Sequence, residues 1–147
     1  MTTSIPLKII DLHDDGFHPL LEVVLFGKSF IMVLDTGASK TAFDRATLFE
    51  ANETTSILAS DRLSTGLGTN SMESFTAVIS GMFVGDMPIH DFEVAVLDLS
   101  TINIAYSQMG HPQVLGVLGG DILMKYRAVI DYNKQVLKLK KPRFSKR

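Results

Sequence analysis

The run Phe30-Ile31-Met32-Val33-Leu34 leads without a break into Asp35-Thr36-Gly37-Ala38-Ser39. Five consecutive apolar residues predict a strand, Ser29–Leu34, covered on both faces. An acid at the end of such a strand must be hydrogen-bonded, paired or functional, because an isolated buried carboxylate is costly. Gly37 lets the chain turn sharply, and the Thr36 hydroxyl can donate within that turn. Two readings of the triplet stand at this point. Asp35 caps its own backbone in an Asx-type turn, or it performs chemistry.

Composition narrows the chemistry. The 147 residues contain no cysteine, which removes disulfides, thiol catalysis and cysteine-ligated metals. With 46% hydrophobic and 20% charged residues, one globular domain with its own core is expected. The last fourteen residues hold seven basic side chains and no acid, so residues 1–133 carry a net charge of −9. The tail reads as solvated, and an acidic body would repel phosphate; neither nucleic acid nor membrane is expected as a partner. No secretory signal or spanning segment is visible, which predicts a cytoplasmic protein.

The remaining pattern is β-rich. Strands are expected at Ile5–Leu12, Leu20–Phe26, Met72–Val84, Ile89–Leu97, Arg127–Asp131 and Gln135–Leu139, with turns at Asp14-Asp15-Gly16, Gly27-Lys28, Gly85-Asp86 and Asn133-Lys134. Asp44 is a candidate N-cap for a helix over Arg45–Ala51. From Ser100, the residues Ile102, Ala105, Tyr106 and Met109 form an apolar helical stripe stopped by Gly110 and Pro112. Asp121–Lys125 can form one further turn of helix. Leu25–Asp35 is echoed by Phe83–Asp98, each reading strand, glycine turn, strand, acid, which suits a barrel with a local two-fold.

Other clusters suggest little chemistry. His13, Asp14, Asp15 and His18 read as a turn rather than a metal site. Ser39 has no evident histidine partner, and Gly66-Leu67-Gly68-Thr69 lacks the lysine of a phosphate-binding loop. The seven methionines read as core filler.

Phe30–Ser39 resembles the catalytic signature of the retropepsin-like aspartic peptidases. Val117-Leu118-Gly119-Gly120-Asp121-Ile122-Leu123 is similar to that family's downstream apolar-apolar-glycine motif. Gly66-Leu67-Gly68 stands where the family has its flap, and Ala128–Asn133 with Val136–Leu139 resembles a closing hairpin of cellular members. The resemblance implies a mainly β, closed-barrel-like retropepsin fold with one or two short helices. Residues 1–139 would form a single protease domain and 140–147 a basic tail. It implies an aspartic endopeptidase without cofactor or metal, acting on peptide or protein substrates. Asp35, Thr36 and Gly37 would be catalytic, and Gly37, Ala38, Ser39, Gly66, Leu67, Gly68 and Leu118 would meet the substrate. The chain has one Asp-Thr-Gly, so a homodimer joining two Asp35 side chains is expected. The alternative is a silent dimeric peptide-binding or scaffold module on the same fold. Gly120 stands where viral members carry a basic residue, and the basic tail with Pro142 argues against their terminal four-stranded sheet.

Overall fold

The computed structural model of the chain describes residues 2–51, 58–59, 64–65, 71–72 and 75–142. In chain order its elements are β1 (Thr2–Pro6), β2 (Lys8–Asp11), β3 (Phe17–Leu25), β4 (Lys28–Leu34), β5 (Ala42–Asp44), α1 (Arg45–Ala51), β6 (Leu58–Ala59), β7 (Ser64–Thr65), β8 (Ser71–Met72), β9 (Phe75–Ile79), β10 (Met82–Val84), β11 (Met87–Ile89), β12 (Phe92–Leu97), α2 (Ser100–Gln108), β13 (Gly116–Leu118), α3 (Gly120–Lys125), β14 (Val129–Asp131) and β15 (Val136–Lys140). Gly66-Leu67-Gly68, where the flap was expected, and most of the basic tail (143–147) lie outside the described residues.

The main sheet runs β11-β10-β3-β4-β13-β5-β12-β9-β6, with β2 added to β3. Among the described residues its two end strands do not pair with each other, so the expected closed barrel is an open, curled half-barrel. A smaller sheet, β1-β15-β14, joins the first strand to the final hairpin. Among the described residues there are three α-helices rather than one or two. The third, α3, forms because Asp121 Oδ1 accepts the Ile122 N–H and satisfies a free donor of its first turn.

The centre of the sheet carries a local two-fold. β13 runs parallel to β4, β12 runs parallel to β5, and β13 and β5 are antiparallel between them. The echo between Leu25–Asp35 and Phe83–Asp98 is the sequence trace of that symmetry. Each half also holds a two-residue hairpin turn with a left-handed glycine, second in the first turn and first in the other. In the first, Phe26 and Gly27 both take positive φ, 56° and 73°, the geometry of a two-residue turn that matches strand twist.

Three expected strands are interrupted. Ile5–Leu12 breaks between Pro6 and Lys8, where Leu7 donates instead to the Gln135 carbonyl at 2.9 Å. Met72–Val84 breaks at Gly81, whose φ of 77° ends β9. Ile89–Leu97 breaks at His90, whose N–H donates to the Tyr126 hydroxyl at 2.8 Å. In each case a tertiary bond or a left-handed turn outweighs the local preference for extended chain.

β4 separates two apolar clusters, which bears out the reading of a strand covered on both sides at its C-terminal half. Met32 and Leu34 face the main core with Leu21, Val23, Phe43, Leu118 and Ile122. Val33 faces the opposite way, into a second cluster with Ile10, Leu12, Leu20, Tyr106 and Val114. Of the apolar stripe expected on α2, only Tyr106 is fully buried, and Met109 is exposed.

Candidate active site

The Asp35 loop is held from both sides by backbone bonds. The Asp35 N–H donates to the Leu118 carbonyl at 3.0 Å, so β13 anchors the loop where β4 ends. The Ala38 N–H donates to the Asp35 carbonyl at 3.2 Å and closes the turn. Asp35 Oδ1 accepts the Gly37 N–H at 2.9 Å. The Asx turn is therefore real, and it uses one carboxylate oxygen of a half-buried side chain. The structural and chemical readings of the triplet do not compete. The turn orients the carboxylate, and its other oxygen is not used by that turn.

The downstream motif forms the floor of this loop. The Gly120 N–H donates to the Ala38 carbonyl at 2.7 Å, and the Asp121 N–H to the Ser39 carbonyl at 3.1 Å. Thr41, fully buried, sits at the centre of the contact. Its hydroxyl donates to Asp121 Oδ1 at 2.7 Å and accepts the Gly119 N–H at 3.0 Å, while its own N–H donates to the same Asp121 oxygen at 2.9 Å. Gly119 has an ordinary φ, so close approach is what requires a glycine. A Cβ there would stand 2.8 Å from the Ala38 oxygen and 2.8 Å from the Lys40 carbonyl carbon. Sequence reasoning missed Thr41; its signal was a hydroxyl residue closing a loop whose facing strand ends in Gly-Gly-Asp.

Among the residues expected at the site, Asp35, Gly37, Ala38, Ser39 and Leu118 are thus brought together by one network. Leu118 is fully buried and acts through its carbonyl, whereas Thr36, Gly37 and Ser39 are exposed along the loop. Gly66, Leu67 and Gly68 lie outside the described residues.

The local two-fold places Asp98 at the end of β12 as Asp35 stands at the end of β4. Asp98 Oδ1 accepts the Ser100 N–H at 2.9 Å, the same i to i+2 bond. There the following residues continue into α2 rather than a glycine turn. The Ser100 hydroxyl and N–H hold the Asp98 carboxyl below the usual carboxylate range. The second half of the chain has therefore turned its acid into a helix start.

Helix α2 is pinned at three points. Asp44 Oδ1 accepts the Leu99 N–H at 2.8 Å, while Asp44 Oδ2 caps α1 through the Thr47 N–H and hydroxyl. The Asn103 amide takes both backbone groups of Val114, at 2.8 and 3.1 Å. The Tyr106 hydroxyl lies 2.6 Å from His18 Nδ1 on β3. The phenol is pushed up to about 12, by burial first and then by the Asp35 charge, so α2 packs within electrostatic reach of the Asp35 loop. His18 and His111 face Tyr106 and the Asp11 carbonyl, and no cluster of three ionisable groups suited to a metal occurs among the described residues. No helix among them is long and apolar enough to cross a membrane.

Comparison with known proteins agrees with this geometry. A family model described as aspartyl protease matches residues 21–122, from β3 through the loop and floor to the start of α3. Among solved structures, a retropepsin-like aspartic protease from Rickettsia conorii aligns with a TM-score of 0.54 at 16% identity, covering 95% of this chain and 91% of its own. The retroviral protease-like domain of Ddi1 from Leishmania major aligns with a TM-score of 0.54 at 13% identity, covering 82% and 86%. No curated protein matches the chain. The matched span holds the Asp-Thr-Gly turn, its glycine floor and the crossed central strands together, and the chain belongs to the aspartyl protease family, with a retropepsin-like fold.

Proposed function

We propose that the chain is an aspartic endopeptidase whose working form is a homodimer, with one Asp35 from each copy facing the other across a two-fold axis. The observation that carries this reading is the single Asp-Thr-Gly loop. It is anchored by backbone bonds from both sides yet supplies one carboxylate, and its local two-fold mate Asp98, held by the Ser100 N–H and hydroxyl, runs into helix α2 instead of a glycine turn. Peptide hydrolysis without metal or covalent nucleophile needs one group to take a proton from water and another to give one to the carbonyl oxygen. Two closely placed carboxylates sharing a proton meet both needs, because their mutual repulsion keeps one protonated while the other is ionised.

In this reading the ionised Asp35 removes a proton as the water oxygen bonds to the scissile carbonyl carbon. The protonated Asp35 of the second copy donates to the carbonyl oxygen. The tetrahedral intermediate then collapses: the carbon–nitrogen bond breaks, the nitrogen leaves with the proton held by the first Asp35, and the second Asp35 takes a proton back from one hydroxyl of the intermediate as the carboxylic acid forms. Thr36 ties the two loops together across the axis. The Gly37 carbonyl receives the extended substrate backbone, while Ala38 and Ser39 border the nearest subsites; Leu118, expected from the sequence to meet the substrate, is buried and supports the loop through its carbonyl instead. Gly66, Leu67 and Gly68 close over the peptide and exclude water.

The test is cleavage of a diverse peptide library by the purified dimer, with and without a statine-type transition-state mimic. Asp35→Asn should abolish cleavage and leave the dimer intact. Cleavage that survives this substitution removes Asp35 from the chemistry. A wild-type dimer that binds extended peptides and cleaves none across the acidic to neutral range favours the silent peptide-binding module.

A further inference from the structure

We infer that Tyr106 closes the floor of the cleft beside Asp35 and restricts cleavage to bonds between small residues such as glycine, alanine and serine. The inference rests on the dimeric peptidase reading above and names its substrate class. The Asp35 N–H bonds the Leu118 carbonyl and so carries the ladder one step past the end of β4. Strand alternation then puts Val33 and Asp35 on one face. A peptide that brings its carbonyl to Asp35 approaches that face, and the side chain next to the bond meets the row behind Asp35. Val33 and its β13 partner Val117 form that row. It is covered before any substrate arrives. Val33 is 6% exposed in the single chain, although it stands two residues from Asp35. Its cover comes from α2. Tyr106, 3% exposed, shares the second apolar cluster with Val33, and half-buried Val117 packs against the same cluster.

The strand register fixes how far the ring reaches. β3 pairs Leu20 with Val33, and the same register two residues on brings His18 level with Asp35. His18 Nδ1 lies 2.6 Å from the Tyr106 hydroxyl. The phenol therefore runs from the Val33 row towards the Asp35 row, in keeping with its rise in pKa, by burial first and then by the Asp35 charge. The helix that carries it is no swinging lid. The Leu99 N–H on Asp44 and the Asn103 amide on Val114 hold α2 independently of Tyr106. A deep apolar subsite would need the volume that this ring fills, and a close-packed interior does not yield it freely. In a two-fold dimer each copy supplies one such floor, one on each side of the cleaved bond, so both flanking residues are held small.

Cleavage of matched peptides by the full chain tests this, with the two residues flanking the bond both alanine, both leucine or both phenylalanine. Wild type should favour the alanine peptide over the phenylalanine peptide by at least about tenfold in kcat/KM. Tyr106→Phe keeps the ring and should keep the preference, whereas Tyr106→Ala should reverse it. Because that change empties a buried site, Tyr106→Leu is measured beside it and should bring the leucine peptide to within about threefold of the alanine peptide. Ile104→Ala, on the exposed side of α2, should leave the ranking unchanged and reports what loosening the helix alone does. Binding of the same peptides to the Asp35→Asn protein should follow the wild-type ranking. A wild type that cleaves phenylalanine and alanine peptides equally, or a Tyr106→Leu protein with the wild-type ranking, overturns the closed floor while leaving the Asp35 chemistry standing. A wild type that cleaves none of them yet binds them in the small-residue order overturns the peptidase reading and upholds the floor. One that neither cleaves nor binds any of them overturns both.

Discussion

Thr41→Val isolates the contact that joins the Asp35 loop to its glycine floor. Valine keeps the side-chain shape, so little cavity forms, but it removes one donor and one acceptor. The buried Gly119 N–H loses its acceptor, at 3.0 Å in the native structure. An orphaned buried donor costs about 1–3 kcal/mol. Asp121 Oδ1 loses its 2.7 Å hydroxyl donor but keeps the Thr41 and Ile122 amides, at 2.9 and 2.8 Å. With two donors retained, that loss lies near the lower end of the range for a bond to a charged group, about 1.5 kcal/mol. The sum is about 2.5–4.5 kcal/mol, and at roughly 2–4 °C per kcal/mol for a chain of this size the melting temperature should fall by about 5–18 °C. Urea unfolding at one fixed protein concentration reads the change, so that any association affects both proteins alike. Thr41→Ser keeps the hydroxyl and should lose only about 1 kcal/mol with its methyl group. A Thr41→Val protein as stable as wild type would refute the assignment of this hydroxyl as the clasp of the loop.

Gly119→Ala should cost more than an ordinary glycine change, about 2 kcal/mol or more, because its Cβ meets backbone atoms at 2.8 Å and the Asp35 loop must shift; calorimetry would detect it, and an unaltered melting curve would mean the loop yields freely. Tyr106→Phe bears on alkaline stability. The Tyr106 phenol is raised in the folded chain, to about 12 from 10.0, so its contribution is complete below pH 10 and is lost as pH rises towards 12. Wild type should lose stability more steeply than Tyr106→Phe over that window, and parallel melting-temperature profiles would contradict the burial of this hydroxyl.

The parts of this fold that were legible are those in which a short segment decides its own structure. An apolar run ending in Asp-Thr-Gly has few ways to turn. Asp44 caps Arg45–Ala51 because a short side chain can reach the Thr47 amide three residues on. The glycine turns at Gly27 and Gly85 match strand pairings on both sides. What stayed hidden depends on partners distant in the chain. Nothing around Asp44 announces that its second oxygen holds Leu99, 55 residues later. The Tyr106 stripe suggested an amphipathic helix, but Asn103 clasping Val114 and Tyr106 meeting His18 fix that helix by polar bonds that periodicity does not report. The open half-barrel was also out of reach, because closure depends on whether the two outermost strands meet, and no local pattern encodes that.

In the proposed enzyme two Asp35 side chains complete one site, and a crystal structure of the dimer measures this directly. The facing carboxylate oxygens should lie about 3 Å apart, the separation at which one proton is shared. Two copies joined with those carboxylates pointing into separate solvent would contradict it.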